Sequence, residues 1–540
     1  MSSQESEPDM KLFWGCFIAL ITTAFAFITR AFLVNAEPFW PSTFGLDQVQ
    51  GQELFGAGIW PFAISIIVFS LIIDKIGYRA AMIFSFVCYA LYAVLAFLAY
   101  GVVTAEGLSG TALEDAQTEA YNLLYWGSVI LGLGNGTVEA FINPVVATMF
   151  KKDKTKWLNI LHAGWPGGLV ICGMIVIFMG DVDWYIKVGL IAIPAVIYLL
   201  MLLPCKFPIQ EREAAGVSYK EMLGEFGVLG AIIVGILVTL QLMDFAGQGG
   251  AEVTANQKYL FIAIGIAIVV GFGMYTKALG NKLLFFLVLI MMPLATTEIG
   301  TDGWIGGIME SVAEGRFHPG WVLVYTSAIM MVLRFYAGPI VHKLQPLPLL
   351  AISALLAIAG LYTLSFTEGM VIFVAATLYG VGKTFFWPTM LGVVSEQTPK
   401  GGALTLNAIS GIGMLAVGTL GFPYIGALQD GKQIESITGN EAIVAQAPSL
   451  KDGNFTTSKS IYEVIKYDAV DDVALTARLS QDIQDPEKLK SINEEISKAR
   501  GGSAQGALAD MAIFPVIMLV AYLILLFHFK NKGGYKPIEL

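Results

Sequence analysis

Long apolar runs separated by short polar segments occupy most of this sequence. Each run extends over roughly 20 to 25 residues with few or no charges, the length that an α-helix needs to cross a bilayer core of about 30 Å. The runs are too long and too evenly apolar for the strands of a membrane barrel. We therefore predict an all-α polytopic membrane protein with about 14 transmembrane helices, at residues 11–35, 52–73, 79–101, 122–149, 156–180, 184–204, 226–247, 257–276, 282–310, 319–341, 346–366, 369–395, 402–428 and 509–530.

Basic side chains concentrate in every second connection between these runs and at the C-terminus, whereas the intervening connections are acidic. Short loops rich in Lys and Arg stay on the cytoplasmic side of a membrane. With an even number of spans, this pattern predicts an integral protein of the cytoplasmic or plasma membrane with both termini in the cytoplasm.

Composition narrows the possible functions. Hydrophobic residues make up 56% of the chain and charged residues 14%, against about 25% charged in soluble proteins. The sequence has no basic face or tail that would predict nucleic-acid binding. It also lacks a nucleophile elbow, an HExxH motif and a GxxxxGK(S/T) loop, so we expect neither an enzyme nor an ATP-driven pump. The four cysteines have no paired spacing, and we expect no metal site and no cofactor, only a proton or cation gradient as driving force.

An internal repeat divides the chain into two related halves. Residues 131–150 and 378–394 share a glycine-rich first part, a proline and a tail of small residues. The span after each copy carries an asparagine, Asn159 or Asn407. Two halves of similar order in a transporter-like chain imply a pseudo-two-fold axis with the substrate site between them.

A short motif connects this organisation to a known family. The segment Ile73-Asp74-Lys75-Ile76-Gly77-Tyr78-Arg79 resembles the D-(R/K)-x-G-x-(R/K) signature of the major facilitator superfamily, and the segment from Arg334 to Lys343 resembles its degenerate second copy. The resemblance implies two six-helix bundles that rock about a central site. It also implies that Asp74, Arg79 and Arg334 act as gating residues that hold the cytoplasmic side shut in one state.

The resemblance also implies a division of the chain. Two extra helices lie between the bundles, as in fourteen-helix members of the superfamily. We therefore expect a cytoplasmic tail, an N-terminal six-helix bundle, a linker with two added helices, and a C-terminal bundle that carries a polar extracytoplasmic insertion, at residues 1–10, 11–204, 205–281, 282–540 and 429–508 respectively. Residues 471–500 have helical composition, and the insertion is read as a solvated cap or, alternatively, as a substrate-capturing lid.

The region from Gly132 to Gly168 is similar to the fourth and fifth helices of fucose–proton symporters. The similarity rests on Glu139, Asn143, Pro144 and Asn159. It implies a protonatable glutamate with a sugar site beside it. The acidic residue that this family has in its first helix is missing here, because residues 12–34 contain only Arg30 as a charged side chain.

Physical reasoning from the residues points to Glu139 as well. An ionisable group at membrane depth costs at least roughly 2.5 to 3.5 kcal/mol, so it is by default a functional candidate. Asn135, Glu139 and Asn143 recur at intervals of four residues, which places them on one helix face. Burial favours the neutral form of a carboxyl group, which suits a proton carrier. The alternative is a structural carboxylate that joins two helices through hydrogen bonds.

Other polar side chains within the spans are further candidates. Lys383 matches Glu139 in the repeat and has Trp387 one turn away, so it either contacts the solute or neutralises Glu139 or an acid of the span 282–310. In that span Glu298 and Asp302 share a face, so one of them would hold a proton unless Asp302 is solvated. The remaining candidates are Arg30, as an anion ligand or interfacial side chain, His162, as a second proton site or a core residue, and Asn159 and Asn407, as lining residues.

These observations predict a secondary active transporter of a small polar solute, sugar or sugar-like, that works by alternating access and by proton symport. We expect it to act as a monomer in the lipid bilayer. One alternative is an organic-anion transporter that uses Arg30 and Lys383. A second alternative, of another class, is a transporter-like sensor that binds a ligand without flux.

Overall fold

The computed structural model describes residues 9–35, 44–45, 54, 56–180, 182–247, 253–302, 318, 320–367, 369–462 and 465–540. Within this part of the chain, 12 helices are long and apolar enough to cross a membrane, and a pair bent by 67° makes a thirteenth span. The 17-residue helix Trp60–Ile76 occupies the position of the remaining predicted span. The all-α polytopic fold is therefore confirmed, with a helix count close to the predicted one.

The first half of the chain packs around a long fourth-span helix. Its third and second spans lie against that helix, while the first span packs on the fifth and sixth. The helices are α1 Met10–Asn35, α2 Trp60–Ile76, α3 Tyr78–Val103, α4 Thr111–Met149, α5 Lys154–Leu161, α6 Gly164–Met179, α7 Trp184–Gly189 and α8 Ala192–Leu202.

The loop predicted between the second and third spans is longer than the observed one. Residues up to Ile76 belong to α2, and α3 begins at Tyr78, so only Gly77 turns the chain, with φ 81°. Asp74 therefore lies on the last turn of a helix and Arg79 on the first turn of the next. The fourth-span helix also begins earlier than predicted, at Thr111 rather than at residue 122.

The linker and the two added helices follow as α9 Glu211–Ala214, α10 Tyr219–Gly247 and α11 Ala255–Thr276. Helix α10 is kinked at Gly227, whose φ of 56° suits glycine. A Cβ atom at Gly227 would also lie 2.3 Å from the backbone nitrogen of Gly280, so the chain passes too closely here for any side chain. Helix α11 packs on α10 and exposes most of its apolar surface to the surroundings.

The second half repeats the arrangement of the first, with more interruptions. Its helices are α12 Lys282–Ala295, α13 Gly320–Phe335, α14 Ala337–Leu344, α15 Pro346–Leu364, α16 Ile372–Lys383, α17 Phe386–Gln397, α18 Gly402–Ala416, α19 Phe422–Thr438, α20 Glu441–Gln446, α21 Asp472–Asp482, α22 Pro486–Met511 and α23 Ile513–Asn531. Single turns of π-helix, Thr296–Gly300 and Val417–Gly421, extend α12 and join α18 to α19.

The polar insertion is a small folded unit with its own core. We predicted that the insertion begins at residue 429, but no helix ends there, because α19 continues to Thr438. An antiparallel hairpin, β1 Thr456–Ile461 and β2 Ile465–Val470, pairs Thr456 with Val470. Helices α21 and α22 agree with the helical composition of residues 471–500. The buried core of the unit consists of Ile437, Ile443, Ala447, Leu450, Phe455, Leu475, Leu479, Ile483, Ile492 and Ile496.

Candidate functional site

A cavity of about 70 Å³ lies between the two halves of the molecule. Its wall is mainly aromatic and aliphatic, and five polar side chains project into it. Pockets of this composition, apolar with a few placed polar groups, are typical of small-molecule sites. The lining residues are Phe27, Gly58, Ile59, Phe62, Asn135, Glu139, His162, Trp165, Glu298, Ile299, Arg334, Trp387, Met414 and Phe422.

The polar stripe of α4 forms one side of this site. The Asn143 side-chain amide donates to Oε2 of Glu139 at 2.7 Å, and Asn143 Oδ1 lies 2.9 Å from Nε2 of His162. Because Asn143 Oδ1 only accepts, His162 Nε2 is the donor. One turn towards the start of α4, Asn135 accepts a hydrogen bond from the Tyr89 hydroxyl at 2.9 Å. Glu139 is thus oriented by a chain of neutral groups.

Two carboxylates of the second half have cationic partners, and Glu139 differs from both. Arg334 Nη2 lies 2.7 Å from Glu298 Oε1, and Lys383 is paired with Asp302. Among the described residues, the nearest basic group to Glu139 is His162, with Nε2 4.0 Å from Oε2. The side chain of Arg30 lies outside the described residues.

The structure decides between the alternatives for Lys383 and Asp302. Asp302 is buried and not solvated, and Lys383, which has no exposed surface, neutralises it and not Glu139. Lys383 also lies 5.4 Å from the centre of the Tyr379 ring. Neither charged side chain lines the cavity. Glu298 and Asp302 each have their own cation, and the expectation that one of the two holds a proton stays a prediction.

Arg334 was predicted as a gate on the cytoplasmic side, but it lies in the central cavity. Besides Glu298, its guanidinium donates to the carbonyl oxygens of Thr384 at 2.6 Å and His162 at 2.9 Å. Glu298 Oε2 in turn accepts from the backbone N–H of Trp387 at 3.1 Å. The assignment of Arg334 as a gate rests on its position in the motif copy. That position gives no information on how deep the side chain lies in the molecule.

Asn159 and Asn407 were predicted to line the site, and both lie instead where the two halves touch. The Asn159 amide donates to the Thr389 hydroxyl at 3.1 Å, and the Asn407 amide donates to the carbonyl of Ala140 at 2.8 Å. Both side chains are fully buried. The two asparagines follow the two copies of the repeat, and each donates a hydrogen bond from its own half to the other half.

The side of the molecule that carries the start of α1 and the C-terminal tail, here called the terminal face, holds the motif residues. Asp74 does not pair with Arg79. Arg212 of the linker lies 2.5 Å from Asp74 Oδ2, while Arg79 donates to the carbonyl of Cys205 at 3.0 Å. Gln210 joins the halves, since its amide donates to Asp74 and its oxygen accepts from the N–H of Ala403.

A second contact across the terminal face was missed by sequence reasoning. Glu396 Oε1 accepts from the Thr155 hydroxyl at 2.5 Å and from the Thr155 N–H at 3.3 Å. Glu396 Oε2 accepts from the hydroxyl of Tyr535 in the C-terminal tail at 2.7 Å. Burial, followed by the charge of Glu396, raises the pKa of Tyr535, so its hydroxyl stays a donor. The only signal in the sequence was an acid at the end of an apolar span, which the predicted boundary at residue 395 left outside.

The sequence profile of the Major Facilitator Superfamily matches residues 19–422. The chain belongs to the major facilitator superfamily. Members of this superfamily are transporters and not enzymes, so the chain is a membrane transporter protein with a small-molecule site. No curated protein sequence matches it significantly. In the part of the chain that the structure describes, no cluster of His, Cys, Asp or Glu is arranged to hold a metal ion.

Solved structures of the superfamily show the same fold at low identity. The E. coli fucose–proton symporter FucP is 15% identical with a TM-score of 0.52, and the alignment covers 94% of this chain and 98% of FucP. The human organic anion transporter MFSD10 is 11% identical with a TM-score of 0.53, covering 96% and 100%. The xylose transporter XylE from E. coli, partially occluded and inward open, is 13% identical with a TM-score of 0.52, covering 77% and 91%.

Proposed function

We propose that this superfamily member is a proton symporter for a small neutral polar solute, sugar or sugar-like, with Glu139 as the proton carrier. The observation that carries the proposal is the charge balance of the cavity. Among its described lining residues, Glu298 is neutralised by Arg334, whereas Glu139 has only neutral hydrogen-bond partners and His162 nearby.

Charge balance favours loading of a proton together with a neutral solute. With Glu139 ionised and His162 neutral, the described lining carries one net negative charge, and a proton on Glu139 brings it to zero. Moving an uncompensated charge through the membrane interior is costly. The change of access therefore costs less free energy when the site holds a proton and the solute than when Glu139 is ionised. Symport requires this difference.

The chemistry of the cavity wall supports a sugar-like solute. Trp165 and Trp387, one from each half, offer aromatic faces on which the C–H side of a ring can pack. Asn135 and Glu139 supply acceptors and donors for hydroxyl groups on the same side of the cavity. The fucose and xylose transporters among the structural neighbours are consistent with such a solute.

The contacts between the halves support alternating access. On the terminal face, which we propose to be cytoplasmic, Gln210, Asn159 and Glu396 take part in hydrogen bonds that join the two halves. These bonds close one route to the cavity. Rocking of one half against the other would break them and open that side.

The organic-anion alternative loses one of its two cations, because Lys383 is buried, paired with Asp302 and absent from the cavity lining. The organic anion transporter is similar to this chain in fold alone, as the fucose and xylose transporters are, so these similarities do not decide between the solutes. The proposal therefore rests on a neutral solute, and the experiment keeps anions as a separate arm.

The test is solute-driven proton movement in proteoliposomes, with neutral sugars and small organic anions tried in parallel. We expect a neutral sugar to alkalinise the outer medium in the wild-type protein. Glu139→Gln should abolish this signal and retain sugar exchange, because the neutral amide imitates the protonated acid. Proton movement that persists in Glu139→Gln would refute its role. Movement driven by anions alone would favour the anion carrier, and binding without flux would favour the sensor.

A further inference from the structure

Two prolines leave a carbonyl without its helical partner near the cavity. Proline has no N–H, so the carbonyl four residues earlier in a helix loses its hydrogen bond. Pro166, at the start of α6, frees the carbonyl of His162, where α5 ends. Pro388, in α17, frees the carbonyl of Thr384, between α16 and α17. Both spans are interrupted at these points.

One side chain binds both freed carbonyls. Arg334 Nη1 donates to His162 O at 2.9 Å, and Arg334 Nε donates to Thr384 O at 2.6 Å. Its third contact is Glu298, at 2.7 Å. The bonds to Thr384 and Glu298 stay within the second half of the chain, whereas the bond to His162 crosses to the first half.

His162 connects this crossing to the proton site. Its carbonyl is held by Arg334 from the opposite half, and its ring donates to Asn143, which donates to Glu139. The two bonds leave the same residue at the end of α5, where its N–H still donates to Leu158 O at 2.9 Å but its carbonyl is held by Arg334 from the second half. The position of the ring therefore depends on the contact that the second half makes.

We propose that Arg334 is a positioning residue that couples the proton site to the arrangement of the halves. By holding the carbonyl freed by Pro166, it sets the His162 ring against Asn143 and so fixes the environment of Glu139. The bond to His162 breaks when the halves rock apart at this level, and the proton site then changes. A ligand couples to a conformational change only if its site differs between the two states, and this contact supplies the difference.

The proposal rests on the proton symport proposed above, and it is tested first by a measurement that needs no transport. The chain has only four histidines, so NMR of the purified, ¹⁵N-histidine-labelled protein can resolve the Nε2–H signal of His162. Two substitutions weaken the crossing contact. Arg334→Lys replaces the planar fork, which serves three acceptors, with a single ammonium group. Pro166→Ala restores an N–H in the same span that competes with Arg334 for His162 O.

A matched control is available in the repeat. Pro388→Ala restores the equivalent N–H for Thr384 O, which lies in the same half as Arg334. We expect Arg334→Lys and Pro166→Ala to shift the His162 Nε2–H signal and to speed its solvent exchange at least about tenfold, with Pro388→Ala unchanged. Equal effects of both proline substitutions, or no effect of Arg334→Lys, would overturn the proposal.

Transport then tests the coupling itself. In Pro166→Ala, whose side chain does not line the cavity, solute-driven proton movement should fall at least about tenfold while solute exchange stays within about threefold of wild type. Proton movement and exchange that fall together would indicate general damage and overturn the coupling role. A wild-type protein that moves no protons would refute the symporter, and the NMR result would still decide whether Arg334 positions His162.

Discussion

The contact between Thr155 and Glu396 allows a direct test of how the terminal face is held closed. Thr155→Val keeps the shape of the side chain and removes its hydroxyl, the donor at 2.5 Å from Glu396 Oε1. The Thr155 N–H, at 3.3 Å, remains as a weaker donor to the same oxygen. Glu396 is only 8% exposed. In the closed state of Thr155→Val this buried carboxylate therefore lacks the hydroxyl donor that it has in the wild-type protein.

The expected magnitude follows from the energy of a hydrogen bond to a charged group, about 1.5 to 3 kcal/mol. When the terminal face opens, Glu396 is hydrated and the loss of the hydroxyl no longer matters. The substitution therefore raises only the free energy of the closed state. With 1.4 kcal/mol for each factor of ten, the ratio of open to closed molecules should rise roughly 10- to 100-fold.

Distances between spin labels measure this ratio. Labels at Lys151→Cys and Lys400→Cys lie on exposed positions of opposite halves, on the terminal face. Electron–electron double resonance in Thr155→Val should show growth of a longer-distance population. Tyr535→Phe is the matched control: it removes a donor of Glu396 that belongs to the second half and moves with it, so we expect a much smaller shift. An unchanged distance distribution in Thr155→Val, or equal shifts in both variants, would refute the reasoning.

Three further predictions concern stability. Asp302→Asn leaves the buried Lys383 ammonium unpaired and should destabilise the protein by about 3 to 5 kcal/mol, measured as a lower midpoint of thermal unfolding. Adding Lys383→Met to Asp302→Asn should recover most of this loss, and an Asp302→Asn variant as stable as wild type would contradict the prediction. Gly227→Ala should lower thermal stability, because its φ is positive and a Cβ would strike Gly280 at 2.3 Å; an unchanged unfolding midpoint would contradict this close approach. Phe455→Ala removes a fully buried ring from the insertion and should lower the stability of the insertion by about 3 to 5 kcal/mol. Limited proteolysis should therefore cut the insertion first, and cleavage at the same rate as wild type would show that its core is not cooperative.

Local patterns in the sequence determined a large part of this protein. The length and apolar character of each run set the helices, because a span must satisfy its own backbone in lipid. The spacing of Asn135, Glu139 and Asn143 placed them on one face, since helical periodicity depends only on residue number. The motif around Asp74 predicted the superfamily that the profile match over residues 19–422 confirms.

Partner choice was decided only by the tertiary structure. Lys383 pairs with Asp302 and not Glu139, Asp74 pairs with Arg212 and not Arg79, and Arg334 lines the cavity between the halves. Each outcome depends on the depth and rotation of one helix relative to another. These are set by packing over the whole interface and by breaks such as the one before Pro166, and neither quantity is encoded in the spacing of residues along a single span.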